Sequence, residues 1–263
     1  MAKAGVPTTG PIFPVSFPPV HPFVAAIGLS ALGSLGGVLM ASLFLFIGDA
    51  LRPRLVPWLI SYAVGTLLGA ALMGLLPEAL EQLAPPAVFG TLLAGILTFF
   101  VLEKLVLWRH CHDTEDCALH STAASLVVIG DAVHTFVDGI VIASAVMVSM
   151  PLGITTALAV AAHEIPQEVG DVAILLNSGL SRGRALGLNV LSGLAGIGGA
   201  AGMLLFAQTV PAILPYVLAF AAGNFLYVAM ADLIPSLHRG NIDASAIRQV
   251  VLITAGVATI VVL

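Results

Sequence analysis

The stretch ALGLNVLSGLAGIGGAAGMLLFAQ at residues 185–208 contains no Asp, Glu, Lys or Arg. It is longer than the roughly 20 apolar residues that carry a helix across a bilayer. Seven further apolar stretches accompany it, near 22–47, 57–80, 86–107, 121–148, 152–178, 211–237 and 246–263. The composition agrees: 9% of the 263 residues are charged, 59% are hydrophobic, and the mean hydropathy is +1.08. A soluble fold would have too little polar surface to cover itself. In lipid every backbone polar group must be satisfied within the protein, and no stretch shows the ten-residue alternation of a membrane barrel. The sequence therefore predicts an all-α polytopic membrane protein of eight transmembrane helices, in one domain over 22–263. A proline-rich arm at 1–21, expected to be disordered, precedes it and resembles neither a signal peptide nor a transit sequence. The lipid bilayer is the implied partner, and the formal net charge of -5 gives no reason to expect nucleic acid.

Basic residues fix an expected orientation. Arg52 and Arg54 follow the first apolar stretch, Lys104 and Arg109 the third, Arg182 and Arg184 the fifth, Arg239 and Arg248 the seventh. The positive-inside rule makes that side cytoplasmic, so both termini are expected outside. Helix four then rises from the cytoplasm and helix five descends towards it.

An internal repeat appears when residues 64–80 are laid without gaps on 222–238: Gly65 meets Gly223, Leu68 meets Leu226, Ala71 meets Ala229, Leu75 meets Leu233 and Pro77 meets Pro235. Helices two and seven run in opposite directions, so the expectation is an inverted repeat of helices 1–3 and 6–8 around a central pair, helices 4 and 5.

That central pair holds the intramembrane ionisable residues, which are costly in hydrocarbon and mark a pathway or a buried partner. Helix four reads GDAVHTFVDG at 130–139, and the spacing of Asp131, His134 and Asp138 puts them on one face. Helix five reads HEIPQEVGD at 163–171, with His163 and Gln167 on one stripe and Glu164, Glu168 and Asp171 on a second. Imidazole nitrogen together with carboxylate and amide oxygen suits zinc or another first-row divalent ion. Pro166 removes a backbone bond beside these residues and is expected to kink helix five. Gly139 and Gly170 are expected to let helices four and five approach closely. The competing explanation is a structural polar network. It has five carboxylates and two histidines but no Lys or Arg at that depth, so its negative charge needs protons or metal ions.

With these motifs the chain resembles the ZIP (Zrt/Irt-like) family of divalent metal transporters, in the branch whose fifth helix reads HExPHExGD. GDAVHTFVDG is similar to that family's helix-four pattern GDxxHNxxDG. LLPEAL at 75–80, FFVLEKLVLWRHCH at 99–112 and AGNFLYVAMADLIPSLH at 222–238 are similar to its helix two, helix three with the following loop, and helix seven. The resemblance implies an eight-helix fold, a two-metal site on helices four and five, a homodimer, and transport of zinc, iron or manganese into the cytoplasm, with cadmium as a further candidate ion. It implies no catalytic cofactor, because the metal is cargo. Carried over residue by residue, it places His134, Asp138, His163 and Gln167 at a first metal, and Thr135, Glu164 and the shared Asp138 at a second. Gln167 stands where the family has histidine, which is expected to weaken zinc binding and broaden selectivity. Thr135 stands for asparagine, and Ala70 and Gly74 for residues that are often polar.

Glu168 is expected to ligate at either site, to support a ligand or to carry a proton. Asp131, Asp171, Glu78, Asp232 and His238 are candidates for the pathway or for supporting the ligands. The loop residues His110, Cys111 and His112, with Cys117 and His120 beyond, are candidate contacts for emerging metal, against a plain solvated loop. Two rival functions stand beside transport of metal: a proton-coupled carrier of a non-metal substrate, and an intramembrane metalloprotease. The second suffers because HEIPQ has Gln167 where HExxH needs its second histidine. The expected membrane is the plasma or inner cell membrane.

Overall fold

The computed structural model describes residues 21–44, 51–110, 118–238 and 244–263. The expected N-terminal arm falls outside them except for His21, as do Cys111, His112 and Cys117 and the side chains of His110 and His120.

Eight helical rods make up the described chain: α1 (Pro22–Phe44), α2 (Arg52–Gly69, continuing through Ala70–Leu75 and Leu76–Gln82), α3 (Pro85–His110), α4 (Ala118–Val148), α5 (Met150–Asn177), α6 (Arg182–Thr209), α7 (Leu214–Tyr227, continuing through Val228–Leu233 and Ile234–Leu237) and α8 (Ala244–Val262). No strand occurs among the described residues. Six rods are long and apolar enough to cross a membrane on length and composition alone, and the apolar part of α8 is shorter. α5 is as long as the others, but its own polar residues lower its hydropathy and so mask the span that carries them.

α4 and α5 are joined through Ser149 alone, whose extended backbone and side-chain cap on the Leu152 N–H start α5 at Met150, with Pro151 in its first turn. α5 closes on a Schellman turn: Gly179 N–H bonds the Leu176 carbonyl and Leu180 N–H bonds that of Leu175. Gly179 sits there at φ 84, a conformation that glycine adopts freely. α5 runs unbroken through Pro166.

The repeat expected from the sequence has a structural counterpart. Ala70–Leu75 of α2 and Val228–Leu233 of α7 are both wound as π-helix, and the gapless overlay superposes these same two segments. Their neighbours match as well. A Cβ on Gly65 would come within 2.1 Å of the Ile253 carbonyl of α8, and one on Gly223 within 2.2 Å of the Leu92 carbonyl of α3. In return Gly256 of α8 lies against the Tyr62 carbonyl and Gly95 of α3 against that of Phe220. The pairs α2–α8 and α3–α7 thus interlock through reciprocal glycines, which give the backbone-to-backbone approach that holds helices together in lipid. Gly65→Ala and Gly223→Ala are therefore expected to lower the unfolding temperature of the purified protein to a similar degree. A clear loss in one with none in the other would show that the two contacts are not equivalent.

The remaining helices form a second group in which Gly139 and Gly170 do not act as expected. A Cβ on Gly139 would meet the Gly196 carbonyl of α6 at 1.9 Å, and Gly170 faces open space. Close contacts to α5 come instead from Gly37 of α1, which lies against Glu164, and from α5's own Gly153, which lies against Val146 of α4. The physical reason is that α4 and α5 come together near their hairpin, where Gly153 lies against the Val146 backbone, whereas at the depth of Gly139 and Gly170 long polar side chains lie between them.

Candidate metal site

Beyond Asp138 on α4 and before His163 on α5, towards the Ser149 hairpin, the bundle is filled by buried apolar side chains such as Ile142, Val146, Val160, Leu75 and Leu218. Towards the other end the same helices part around a cavity of about 720 Å³ bounded by α3, α4, α5 and α7. Its polar lining is Glu103, Asp131, His134, Gln167, Asp171, Tyr227 and Asp232. The ends of those helices nearest the cavity lead into the loops that carry the basic residues. The ionisable cluster lies where packing gives way to cavity.

Within it, His134 Nε2 is 3.1 Å from His163 Nε2. Asp138 Oδ2 is 3.3 Å from His163 Nε2 and 3.5 Å from His134 Nε2. The rings are held by aromatic edges: Phe99 meets His134 and Phe225 meets His163, each at 6.1 Å between centroids. His163 Nδ1 lies 3.0 Å from the Ala159 carbonyl, which only accepts, so Nδ1 carries the proton. In the neutral ring Nε2 is then a bare lone pair aimed at His134 and Asp138, because the carbonyl bond on the far nitrogen fixes the tautomer a metal-binding histidine needs.

Glu164 completes the group. His134, Asp138, His163 and Glu164 each offer an atom within 4.8 Å of the other three. Asp138 and Glu164 are fully buried, and none of their four carboxylate oxygens has a hydrogen-bond partner. Buried carboxylates left bare in this way cost several kcal/mol, on the order of the desolvation of an ion, unless a cation or proton sits among them. The donor set fits a divalent metal: two imidazole nitrogens and two carboxylates converge on one point.

The other expected ligands stand differently. Gln167 directs its amide N–H to Asp131 Oδ1 at 3.4 Å, and Thr135 donates to the same oxygen at 3.4 Å, so both face Asp131. Glu168 accepts from Asn189 of α6 at 2.6 Å, and Ser192 of α6 donates to Asp131 Oδ2. Asp171 and Asp232 line the cavity, with Glu103 paired to the Tyr227 hydroxyl at its edge. Glu78 is bonded by Gln82 near the end of α2, and exposed His238 lies at the end of α7; neither lines the cavity. Sequence reasoning passed over Asn189 and Ser192, although they are polar and three apart in a helix otherwise almost wholly apolar.

Residues 107–263 match the family model described as ZIP Zinc transporter. The chain is 32% identical over 234 residues to Zinc transporter ZIP13 of Pongo abelii, an alignment that covers 81% of this chain and 70% of the relative. The chain belongs to the ZIP zinc transporter family. ZIP13 of Homo sapiens is 29% identical over 272 residues, covering 81% of this chain and 73% of its own. Zinc transporter ZIP4 of Mus musculus reaches 43% over 116 residues, covering 43% of this chain and 17% of its own. Membership makes this ZIP protein a multi-pass membrane transporter of divalent metal ions and not an enzyme, which removes the metalloprotease reading.

Proposed function

We propose that this ZIP protein carries zinc into the cytoplasm through a site made by His134, Asp138, His163 and Glu164. The observation that supports this most directly is the bare Nε2 of His163, pointed at His134 and Asp138 beside four unpartnered carboxylate oxygens. Nitrogen and carboxylate in equal number favour zinc over the harder ions, while iron, manganese and cadmium remain competitors for the same ligands. On the positive-inside orientation the cavity opens to the cytoplasm and the apolar packing seals the outer side. The structure then represents the state that releases the ion inward, past Asp131, Asp171 and Asp232. We also assign the protein to a cell membrane with both termini outside, on the positive-inside rule, and to a homodimer, on the family resemblance.

Uptake into proteoliposomes with zinc, iron, manganese and cadmium in competition tests the reading. Zinc should compete best, because two imidazole nitrogens suit it better than they suit manganese. A manganese preference in the native protein would sink the assignment of zinc. Both histidines and carboxylates must shed protons to take the ion, so uptake should also fall as the outer medium is made mildly acidic. Flux that is flat between mildly acidic and neutral pH would count against these ligands.

A further inference from the structure

Five aromatic rings form a closed row through the metal site. Phe220 of α7 stands 6.5 Å between centroids from Phe99 of α3, and Phe99 is 6.1 Å from His134 of α4. His134 is in turn 5.4 Å from His163 of α5, and His163 is 6.1 Å from Phe225 of α7. The row thus leaves α7 and returns to it. The two imidazoles occupy its middle and meet their neighbours edge to face, with interplanar angles of 84° to Phe99, 88° to each other and 63° to Phe225. All of these separations lie within the roughly 4.5–7 Å at which the quadrupoles of aromatic rings attract. Phe225 and His163 are each 1% exposed, and Phe99 is 8% exposed. Phe99 lines the cavity beside His134, so the ligand that cavity water reaches is the one that Phe99 holds. Every phenylalanine in the row comes from the helices that interlock as α2–α8 and α3–α7, and both histidines come from the other group.

We propose that Phe99 and Phe225 are positioning residues of the zinc site: by edge-to-face contact they hold the His134 and His163 imidazoles in the planes from which both nitrogens reach one ion. The inference deepens the histidine site proposed above and rests on it. Two nitrogens bound to one zinc at about 2.0–2.1 Å stand roughly 3 to 3.4 Å apart. The Nε2 atoms of the two rings already stand 3.1 Å apart. Backbone placement alone does not set that distance, because the outer torsion of a histidine side chain is broad. His163 has the Ala159 carbonyl on Nδ1 as a further tie. Leucine would fill the space of either phenylalanine without fixing a plane. The overlay of the two repeats puts Leu67 of α2 where Phe225 stands in α7, and Leu67 is as fully buried. A leucine therefore suits this place in the helix, and the ring of Phe225 answers to the histidine beside it. Because the phenylalanines and the histidines come from different groups of helices, a shift of one group against the other would withdraw both edges together and loosen the hold on the ion.

Cobalt, whose visible absorption reports the geometry of its ligands, is the probe, titrated into the full chain in lipid nanodiscs. Phe99→Leu and Phe225→Leu are each expected to weaken cobalt binding by about 10 to 100-fold, the usual cost of losing a residue that orients a metal ligand, and to alter the visible bands. Phe99→Tyr keeps the ring and should bind like the native protein. A role in packing alone predicts a lower unfolding temperature of the metal-free protein, with the affinity and bands of the folded fraction unchanged. That result in either leucine variant would overturn the proposal, as would Phe99→Tyr binding as weakly as Phe99→Leu. 4-Fluorophenylalanine placed at position 99 or 225 provides the test should the leucine variants unfold. Its fluorine resonance should shift at both positions when zinc is added, and stay still for a label at Phe206, which is 51% exposed on α6. Resonances at 99 and 225 that do not move with zinc would overturn the proposal too. Cobalt bands that are absent from the native protein, or that persist in His163→Ala, would instead defeat the histidine site, so the two readings fail by different results.

Discussion

Replacing His163 with alanine is expected to bring zinc uptake down to the level of empty liposomes, a fall of at least about 100-fold. The size follows from geometry. His163 is 1% exposed, its Nδ1 proton is committed to the Ala159 carbonyl, and its Nε2 is within 3.3 Å of Asp138 and 3.1 Å of His134. Even residues that merely hold a ligand are worth 10 to 100-fold in metal affinity, and this one is proposed as a ligand itself. Removing it leaves Asp138 and Glu164 bare in a low-dielectric interior, where neither can easily stay charged. Hence the loss should appear in metal retained by the purified protein as well as in flux. His238→Ala serves as the control, since that residue is exposed at the end of α7, and it should transport normally. If His163→Ala folds, retains its zinc and transports at more than a tenth of the native rate, the histidine site is wrong.

Much of this was legible in the sequence, for reasons that differ by residue. The eight helices follow from apolar length, and the α4 face of the candidate site from Asp131, His134 and Asp138 recurring at helical spacing. The repeat was legible through Gly65, Gly223, Pro77 and Pro235, because glycine and proline occupy few interchangeable roles, whereas an alignment of leucines between two apolar helices carries little. That the same overlay superposes both π-helical segments was not legible, since π-winding leaves no fixed residue signature and depends on tertiary packing.

What the sequence did not reveal is who meets whom. Gln167 was expected among the ligands of a first metal by resemblance to the family, yet its amide lies against Asp131, where a carboxylate attracts an N–H donor. Glu164, one position along, turns its carboxylate to the histidines instead. Spacing places side chains on a face, and only the neighbouring helix decides which of two adjacent faces meets which partner. α6 is that neighbour for Asp131 and Glu168. Its contribution through Asn189 and Ser192 sat inside the stretch that most plainly announced a membrane span.

The same neighbour sets the second large expectation, Gly139→Ala. A methyl group there would stand 1.9 Å from the Gly196 carbonyl and 3.0 Å from the Ala200 nitrogen, both backbone atoms that no rotamer change can move. α4 and α6 would have to separate, and overpacking of this kind costs about 1–3 kcal/mol or more. Stability is not the only loss. Gly139 adjoins Asp138, so displacing α4 from α6 also pulls Asp131 from Ser192 and shifts Asp138 and His134 relative to α5. Zinc uptake should fall by at least about tenfold even in protein that survives purification. Gly199→Ala, whose Cβ would come within 2.0 Å of the Phe136 carbonyl across the same interface, should behave alike. Gly170→Ala makes the opposite case. It lies inside α5 with nothing within 4 Å, so alanine should be neutral or stabilise by about 0.5–1 kcal/mol, the usual gain over glycine within a helix. Thermal unfolding of the three variants in one detergent, with uptake measured on each, distinguishes close packing from general intolerance of the bundle. If Gly139→Ala and Gly170→Ala shift the unfolding temperature by the same amount, the α4–α6 contact does not position the site.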